Sequence, residues 1–374
     1  MTRFWTGGYG ADMDGDADGI GFLSVDEGRG PSTLTHRGTA APASSPSWLV
    51  QHPTLDVVYA ALEGAGEVQA FARSGEASLR PLGAALVAGD SVCHLAVSPD
   101  GRMLVASCYG DGRVIGYGIA PDGRLVEAAP DKAAALRAAL FGSARDDGDP
   151  HGHYTSGADT PDVGSDARNR PTSGVSAPRV SRAHSAVFLP DGRIATADLG
   201  LDLVRIRRRD LSIDHDVELP QGTGPRHMVL HPSGHLHVVT EYSCEVFTLA
   251  SDREGRWGLV RATIASEIAQ VGFDFPAELA MSRDGGTLYT ALRGSNTIAA
   301  LRVRGDGDVL EPLAIADAGV DWPRHHLVYD GSLLVAGQRS STVSVLDLDE
   351  RTGAPREVRR VTSAPTPTSI LPAR

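Results

Sequence analysis

One pattern recurs six times along this chain of 374 residues: a short apolar strand, a Pro-Asp-Gly-like turn, a second apolar strand, a polar Gly-containing turn and a third strand. The copies begin at Ser47-Trp-Leu-Val-Gln-His-Pro53, Cys93-His-Leu-Ala-Val-Ser-Pro-Asp-Gly101, His184-Ser-Ala-Val-Phe-Leu-Pro-Asp-Gly192, Arg226-His-Met-Val-Leu-His-Pro-Ser-Gly234, Glu278-Leu-Ala-Met-Ser-Arg-Asp-Gly285 and Arg324-His-His-Leu-Val-Tyr-Asp-Gly331. Each is followed by a β-rich partner such as Met103-Leu-Val-Ala-Ser or Leu333-Leu-Val-Ala, and then by a third strand such as Glu245-Val-Phe-Thr-Leu. Repeats of about 40 to 50 residues with four short strands are propeller blades, because one such sheet cannot bury its faces alone and must stack between neighbours. The expected fold is all-β, with four-stranded blades around a central channel.

The termini supply a seventh blade. The tail Pro365-Thr-Pro-Thr-Ser-Ile-Leu-Pro372 reads as an isolated first strand, and Phe4-Trp-Thr-Gly-Gly8, Gly19-Ile-Gly-Phe-Leu-Ser-Val25 and Leu34-Thr-His-Arg37 read as the strands that follow it. Pairing the two ends closes the ring and removes two exposed sheet edges. The expected organisation is therefore one propeller domain over residues 1–374, with a loop insertion at about 130–182. That stretch opens with Lys132-Ala-Ala-Ala-Leu-Arg-Ala-Ala-Leu140, a helical composition, and then turns rich in Gly, Asp, Pro and Ser.

Composition narrows the partners. The chain carries 35 basic and 47 acidic residues for a formal net charge of -12, against the dense positive charge that nucleic acid or an anionic membrane requires. A small polar ligand is expected instead. The first eight residues lack the apolar core of a signal peptide, and no apolar run approaches the length of a membrane span, so the expected location is the cytoplasm. Three cysteines, Cys93, Cys108 and Cys244, form no CxxC pair and fit neither a disulfide framework nor a zinc site. Lys132 is the only lysine, which sets aside Schiff-base chemistry and leaves arginine to recognise carboxylate or phosphate through its planar fork.

Antiparallel pairing of strands one and two brings the start of the first and the end of the second to one face beside the channel. His184, Arg226, His227, Arg324 and His325, with Cys93 and His94, stand at strand-one starts; Glu63, Cys108, Tyr109, Asp198, Glu241, Arg293 and Gln338 stand at strand-two ends. Aligning the repeats on their turns puts Arg226 in the slot of His184, and Glu241 in the slot of Asp198 and Gln338. Imidazole, guanidinium and carboxylate in equivalent slots suit acid/base work on an anionic substrate, and they equally suit a structural ion-pair ring at the channel mouth.

At these residues the sequence resembles the seven-bladed β-propeller lactonases, a family that includes a class of 6-phosphogluconolactonase and the fungal carboxymuconate cyclases. The segments that carry the resemblance are Arg182-Ala-His-Ser-Ala-Val-Phe188, Ala197-Asp-Leu-Gly-Leu-Asp202, Gly222-Thr-Gly-Pro-Arg-His-Met228, Thr240-Glu241, Leu292-Arg-Gly-Ser-Asn296 and Trp322-Pro-Arg-His325. The resemblance implies active-site roles for His184, Arg226, Glu241 and Arg293, although the residue before the blade-five arginine, an asparagine in the family, is Leu292 here. It implies hydrolysis of a sugar lactone such as 6-phosphogluconolactone without metal or organic cofactor. Glu241 would activate water or relay a proton, His184 would be its acid/base partner, and Arg226 and Arg293 would hold the anion or the developing oxyanion. His227, Arg324, His325 and Asp198 are expected at the margin as substrate-binding groups. A cycloisomerase forming a lactone from an unsaturated dicarboxylate would use the same groups, and a non-catalytic propeller would bind a metabolite or protein through its loops.

Other features have plainer readings. Asp12, Asp14, Asp16 and Asp18 have calcium-loop spacing, but Val25 stands where the twelfth-position glutamate belongs, so a solvated acidic loop is expected. His151 and His153 have no third ligand in spacing. Cys93 and Cys108 are expected as reduced thiols, His52 and His231 as turn residues, and Gly7-Gly8-Tyr9-Gly10 as a turn.

Overall fold

The hairpin turns form as their residues demand. In the computed structural model, which describes residues 2–25, 33–127 and 179–373, Gly101, Gly192 and Gly234 sit at φ of 67°, 85° and 95°. Their N–H groups close the turns onto the carbonyls of Ser98 (2.8 Å), Leu189 (3.0 Å) and His231 (2.9 Å). Glycine meets this left-handed requirement without a Cβ clash, which is why the turn signature punctuates each repeat.

The described strands form seven antiparallel sheets. Blade 1 contains Pro46–Gln51, Val57–Leu62, Glu67–Arg73 and Leu79–Pro81, with the short Leu86–Val87 also pairing on the third strand; blade 2 contains Val92–Val97, Met103–Cys108, Val114–Ile119 and Leu125–Glu127. Blade 3 contains Ala183–Phe188, Ile194–Asp198, Leu203–Arg207 and Ile213–Glu218, and blade 4 Pro225–Leu230, Leu236–Thr240, Glu245–Ser251 and Trp257–Ile264. Blade 5 contains Phe275–Met281, Thr287–Arg293, Thr297–Arg304 and Val309–Asp317, and blade 6 Pro323–Tyr329, Ser332–Gly337, Thr342–Leu348 and Pro355–Ser363. First strands of successive blades touch in order around the ring and back to blade 1.

Burial follows from each sheet lying between two others. Every residue of the second strands Val57–Leu62 and Ser332–Gly337 is buried, so these strands read as continuous apolar runs, whereas the outer strand Trp257–Ile264 is buried only at Trp257. Tyr59, Val92, Leu95 and Leu104 fill the space between blades 1 and 2, and the buried Tyr59 hydroxyl donates to Gly123 O at 2.9 Å. Each such side chain contributes roughly 1.5–3 kcal/mol of burial.

Blade 7 is built from both ends of the chain. Pro367–Pro372 is its first strand and Arg3–Gly8, Gly19–Ser24 and Thr35–Pro42 follow, with Trp5 opposite Leu371 and Thr6 opposite Ile370. The Gly7-Gly8 pair belongs to the closing strand rather than to a turn. A Cβ on Gly7 would stand 2.1 Å from Pro46 O, so glycine is required by the close approach of blade 1. The expected insertion lies outside the described residues up to Pro178, as do Lys132–Leu140, His151 and His153. No described helix is long and apolar enough to cross a membrane.

Candidate active site

Each first strand carries one β-bulge just inside its entry. In blade 4, Pro225 pairs with Thr240 and His227 with Val239, which leaves Arg226 as the extra residue. The same skip singles out Ser47, Cys93, His184, Arg324 and Thr368 in blades 1, 2, 3, 6 and 7. In blade 5 it falls between Pro276 and Leu279. A bulge bends the strand and re-aims one side chain, and here it does so at the same rim in every blade. The residue after most second strands completes the rim: the N–H groups of Tyr9, Glu63, Tyr109, Leu199, Glu241 and Gln338 donate to the carbonyls of Thr366, Ser45, Ser91, Arg182, Gly224 and Trp322, just before the neighbouring first strands.

Buried aspartates set the loops that lead into the rim. Asp202 accepts from Gly222 N (2.9 Å) and Gly224 N (2.8 Å), fixing the approach to Arg226. Gly224 has φ 64° and a Cβ there would meet the Tyr242 ring at 2.6 Å, which explains the glycine of the Gly-Pro-Arg-His segment. Asp274 accepts from Ser295 N (2.7 Å) and Gln270 N (2.9 Å), pinning the turn that follows Arg293. Asp198 does the same before His184, accepting from Arg182 N (2.9 Å), Leu201 N (3.1 Å) and Ser181 Oγ (2.5 Å). It therefore does not share the slot of Glu241: Asp198 pairs with Ala183 as Thr240 pairs with Pro225, and the blade-three equivalent of Glu241 is Leu199.

Glu241 lies between two guanidiniums. Its Oε2 forms ion pairs with Arg226 Nε at 2.7 Å and with Arg293 Nη2 at 2.8 Å. Arg293 Nε also donates to Phe275 O (2.9 Å), and its guanidinium lies 5.3 Å from the Trp322 ring centroid. Burial favours the neutral acid, but Arg293 and Arg226 outweigh it and hold Glu241 below its ordinary value. Burial and the neighbouring Arg293 pull Arg226 down to about 10 against Glu241, which leaves it charged at neutral pH. Arg324 donates to Gln338 Oε1 (3.1 Å) and lies 5.1 Å from the Tyr9 ring centroid. His184 is buried beside the Tyr109 ring, and its Nδ1 has no hydrogen-bond partner among the described residues. Burial, then Arg226, keeps His184 well below its ordinary value, hence neutral.

A second carboxyl faces the same rim. The Tyr9 hydroxyl lies 3.2 Å from both Oε1 and Oε2 of Glu63. Burial pushes Glu63 above its ordinary value, although Arg324, the Ser47 hydroxyl, Tyr9 and Arg226 pull it down. Glu63 was legible as a polar strand-two end, but Tyr9 was hidden in a run read as a turn, and only ring closure brings it beside blade 1.

The residues that follow the bulges form an inner ring instead of joining Arg226 and Glu241. Trp48 lies 4.5 Å from His94 and 5.3 Å from both His227 and His325, centroid to centroid. Each histidine is stitched to the next blade: Ala186 N donates to His94 Nδ1 (3.4 Å), Leu279 N to His227 Nδ1 (3.5 Å) and Ile370 N to His325 Nδ1 (3.3 Å). Those donors place the ring proton on Nε2. Glu278 reaches His227 Nδ1 at 3.4 Å and His325 Nε2 at 3.9 Å, and burial keeps its carboxyl well above the ordinary range. Glu278 appeared in the sequence only as a repeat start; no feature of its segment distinguishes an acid facing histidines.

The inner ring predicts acid sensitivity. Burial lowers His94 and His325 to about 3, whereas the unfolded chain binds those protons near 6.5. Between those values the unfolded state holds more protons, so their contribution to stability is complete above pH 6.5 and falls as pH drops. Each should contribute a slope of up to about 1.4 kcal/mol per pH unit. Glu278, whose raised carboxyl takes up a proton in the folded state over part of this range, opposes one of these two slopes, so urea denaturation from pH 7 to pH 4 should show a net fall in stability, and a flat profile would contradict this packing.

The remaining features have structural partners. Asp12 accepts from Ser45 Oγ (2.6 Å) and Ser44 Oγ (2.9 Å), and Asp16 accepts from Ser341 Oγ (3.3 Å). No group of three metal-ligating side chains occurs among the described residues. Cys93, Cys108 and Cys244 are free and buried. His52 Nδ1 accepts from Thr54 N and Leu55 N within its turn.

A seven-bladed propeller whose bulged strands collect arginines, glutamates and a histidine at one rim is the class that fold and site define. The profile of the family described as "Lactonase, 7-bladed beta-propeller" matches residues 3–372, and the chain belongs to that family. The 6-phosphogluconolactonase of Bacillus subtilis is 23% identical over 99% of this chain and 98% of that protein. An uncharacterized Lactococcus lactis protein, YwcC, is 28% identical over 200 residues, which span 51% of this chain and 59% of YwcC. Among solved structures, the periplasmic gluconolactonase PpgL of Pseudomonas aeruginosa superposes with a TM-score of 0.79 at 20% identity, covering 100% of this chain and 99% of that one.

Proposed function

We propose that the protein hydrolyses a sugar lactone bearing an anionic group, of the 6-phosphogluconolactone type. The observation that carries this reading is the charge balance of the rim: Arg226, Arg293 and Arg324 face one firmly ionised carboxylate, Glu241, while burial favours the neutral form of Glu63. A desolvated site with surplus guanidinium charge favours an anion and the oxyanion that develops when water adds to an ester carbonyl. In this reading Arg226 and Arg293 stabilise the oxyanion. His184, kept neutral by burial and by Arg226, takes the proton of the attacking water. Glu241 Oε2 is engaged by Arg226 and Arg293 at 2.7 and 2.8 Å, so its role here is to fix them rather than to serve as the base expected from the sequence. Arg324 and Gln338 hold the substrate's anionic group.

The test is a panel of lactones, phosphorylated and neutral, assayed with purified protein and corrected for spontaneous hydrolysis. Phosphorylated sugar lactones should be preferred. Arg226→Lys keeps the charge but loses the fork, and should lower kcat/KM by about 100-fold. Turnover of an unsaturated dicarboxylate with none of any lactone would move the assignment to cycloisomerisation. No turnover of either would leave a binding propeller.

A further inference from the structure

The rim holds two carboxyl groups in contrasting settings, and hydrolysis as described above uses only one of them. Glu241 lies in blade 4 between Arg226 and Arg293. Glu63 lies in blade 1, three blades away around the ring, with the blade-7 Tyr9 hydroxyl 3.2 Å from both of its oxygens. Arg324 is stationed beside this pair by its place over the Tyr9 ring and its bond to Gln338. Glu63 and Glu241 stand in equivalent slots, each donating its N–H to the carbonyl just before its blade's first strand, Ser45 O and Gly224 O, which puts both carboxyls at the same rim.

We propose that Glu63 is the general acid of the reaction, giving its proton to the lactone's ring oxygen as the acyl–oxygen bond breaks. The assignment rests on the hydrolase reading. Water forms its bond to the carbonyl carbon and its proton passes to His184. The tetrahedral intermediate then collapses, the ring C–O bond breaks, and the departing oxygen takes the Glu63 proton to become a hydroxyl. Of the two protons then on His184 and on the product carboxyl, one returns to Glu63 and the other leaves to solvent. An alkoxide is too poor a leaving group to depart unaided, whereas a protonated carboxyl group at the same rim as the oxyanion donors supplies what it lacks. The contrast with Glu241 fits the division of labour between paired carboxyls, since burial raises one and two arginines lower the other.

The experiment compares an aliphatic δ-lactone, whose leaving group is an alkoxide, with an aryl δ-lactone, whose phenoxide needs no proton. Glu63→Gln should lower kcat by about 100-fold or more on the aliphatic substrate and by less than about tenfold on the aryl one. In the wild type, kcat on the aliphatic lactone should be full below the Glu63 pKa and fall above it. The groups facing Glu63 are Tyr9, the Ser47 hydroxyl, Cys93, Arg226 and Arg324. The Tyr9 hydroxyl is one of the groups that favour the ionised form and can be removed without removing a charge, so Tyr9→Phe should move the alkaline limb to higher pH, a shift that mere loosening of the rim would not produce. Equal losses on both lactones, or an unmoved limb in Tyr9→Phe, would overturn the assignment while leaving the hydrolase reading intact. Wild-type protein inert toward every lactone would remove both.

Discussion

Removal of the last ten residues should abolish cooperative folding. Pro367–Pro372 is the innermost strand of a sheet whose other three strands come from the first 42 residues. Its loss would expose the inner edge of Arg3–Gly8 and uncover Phe4, Leu334 and Ala336, which pack with Ile370. It would also remove the bond from Thr368 Oγ1 to Ser47 O (2.8 Å) that joins blade 7 to blade 1. The buried Ile370 alone is worth about 2–5 kcal/mol, a large part of the 5–15 kcal/mol of net stability that typical domains possess. The truncated chain should be insoluble or melt without a cooperative transition by circular dichroism, while Ile370→Ala should fold with stability lowered by about 2–5 kcal/mol. A truncation that melts like the full chain would refute the closure.

Glu241→Gln should produce the largest effect of any single change at the rim. It leaves the buried Arg226 and Arg293 facing each other without a counter-charge, and removing one partner of a buried ionic group costs about 3–5 kcal/mol. Turnover should fall by at least about 100-fold, because the oxyanion donors lose the group that orients them. The pH dependence of the residual activity should keep the wild-type shape, since the proton acceptor is His184. A changed acid limb would instead make Glu241 the base, and unchanged stability would mean that the two arginines are held by something else.

Much of this molecule was readable without coordinates because a propeller is a local object repeated. Turn glycines, two-sided burial of second strands and complementary end fragments each leave a signature within about 50 residues, so blade number and closure follow from sequence. The kinds of residue at the rim were legible for the same reason. Their exact slots were not. Glu241 and Gln338 lie seven residues after the turn glycines Gly234 and Gly331, and the same count from Gly192 reaches Leu199 rather than Asp198. The bulge then decides whether a strand start points into the rim, as Arg226 and His184 do, or into the inner ring, as His227 and His325 do. One skipped pairing makes that difference, and nothing in the residue types announces it. The place of Tyr9 beside Glu63 and Arg324 was the part out of reach. Their segments lie in three blades at opposite ends of the chain, and only closure of the ring gives them a common environment. The proton affinities follow from that environment: the sequence determined that carboxyls and guanidiniums would be present, and tertiary structure alone, through burial and charge proximity, decided that Glu241 stays ionised while Glu63 is pushed toward its neutral form.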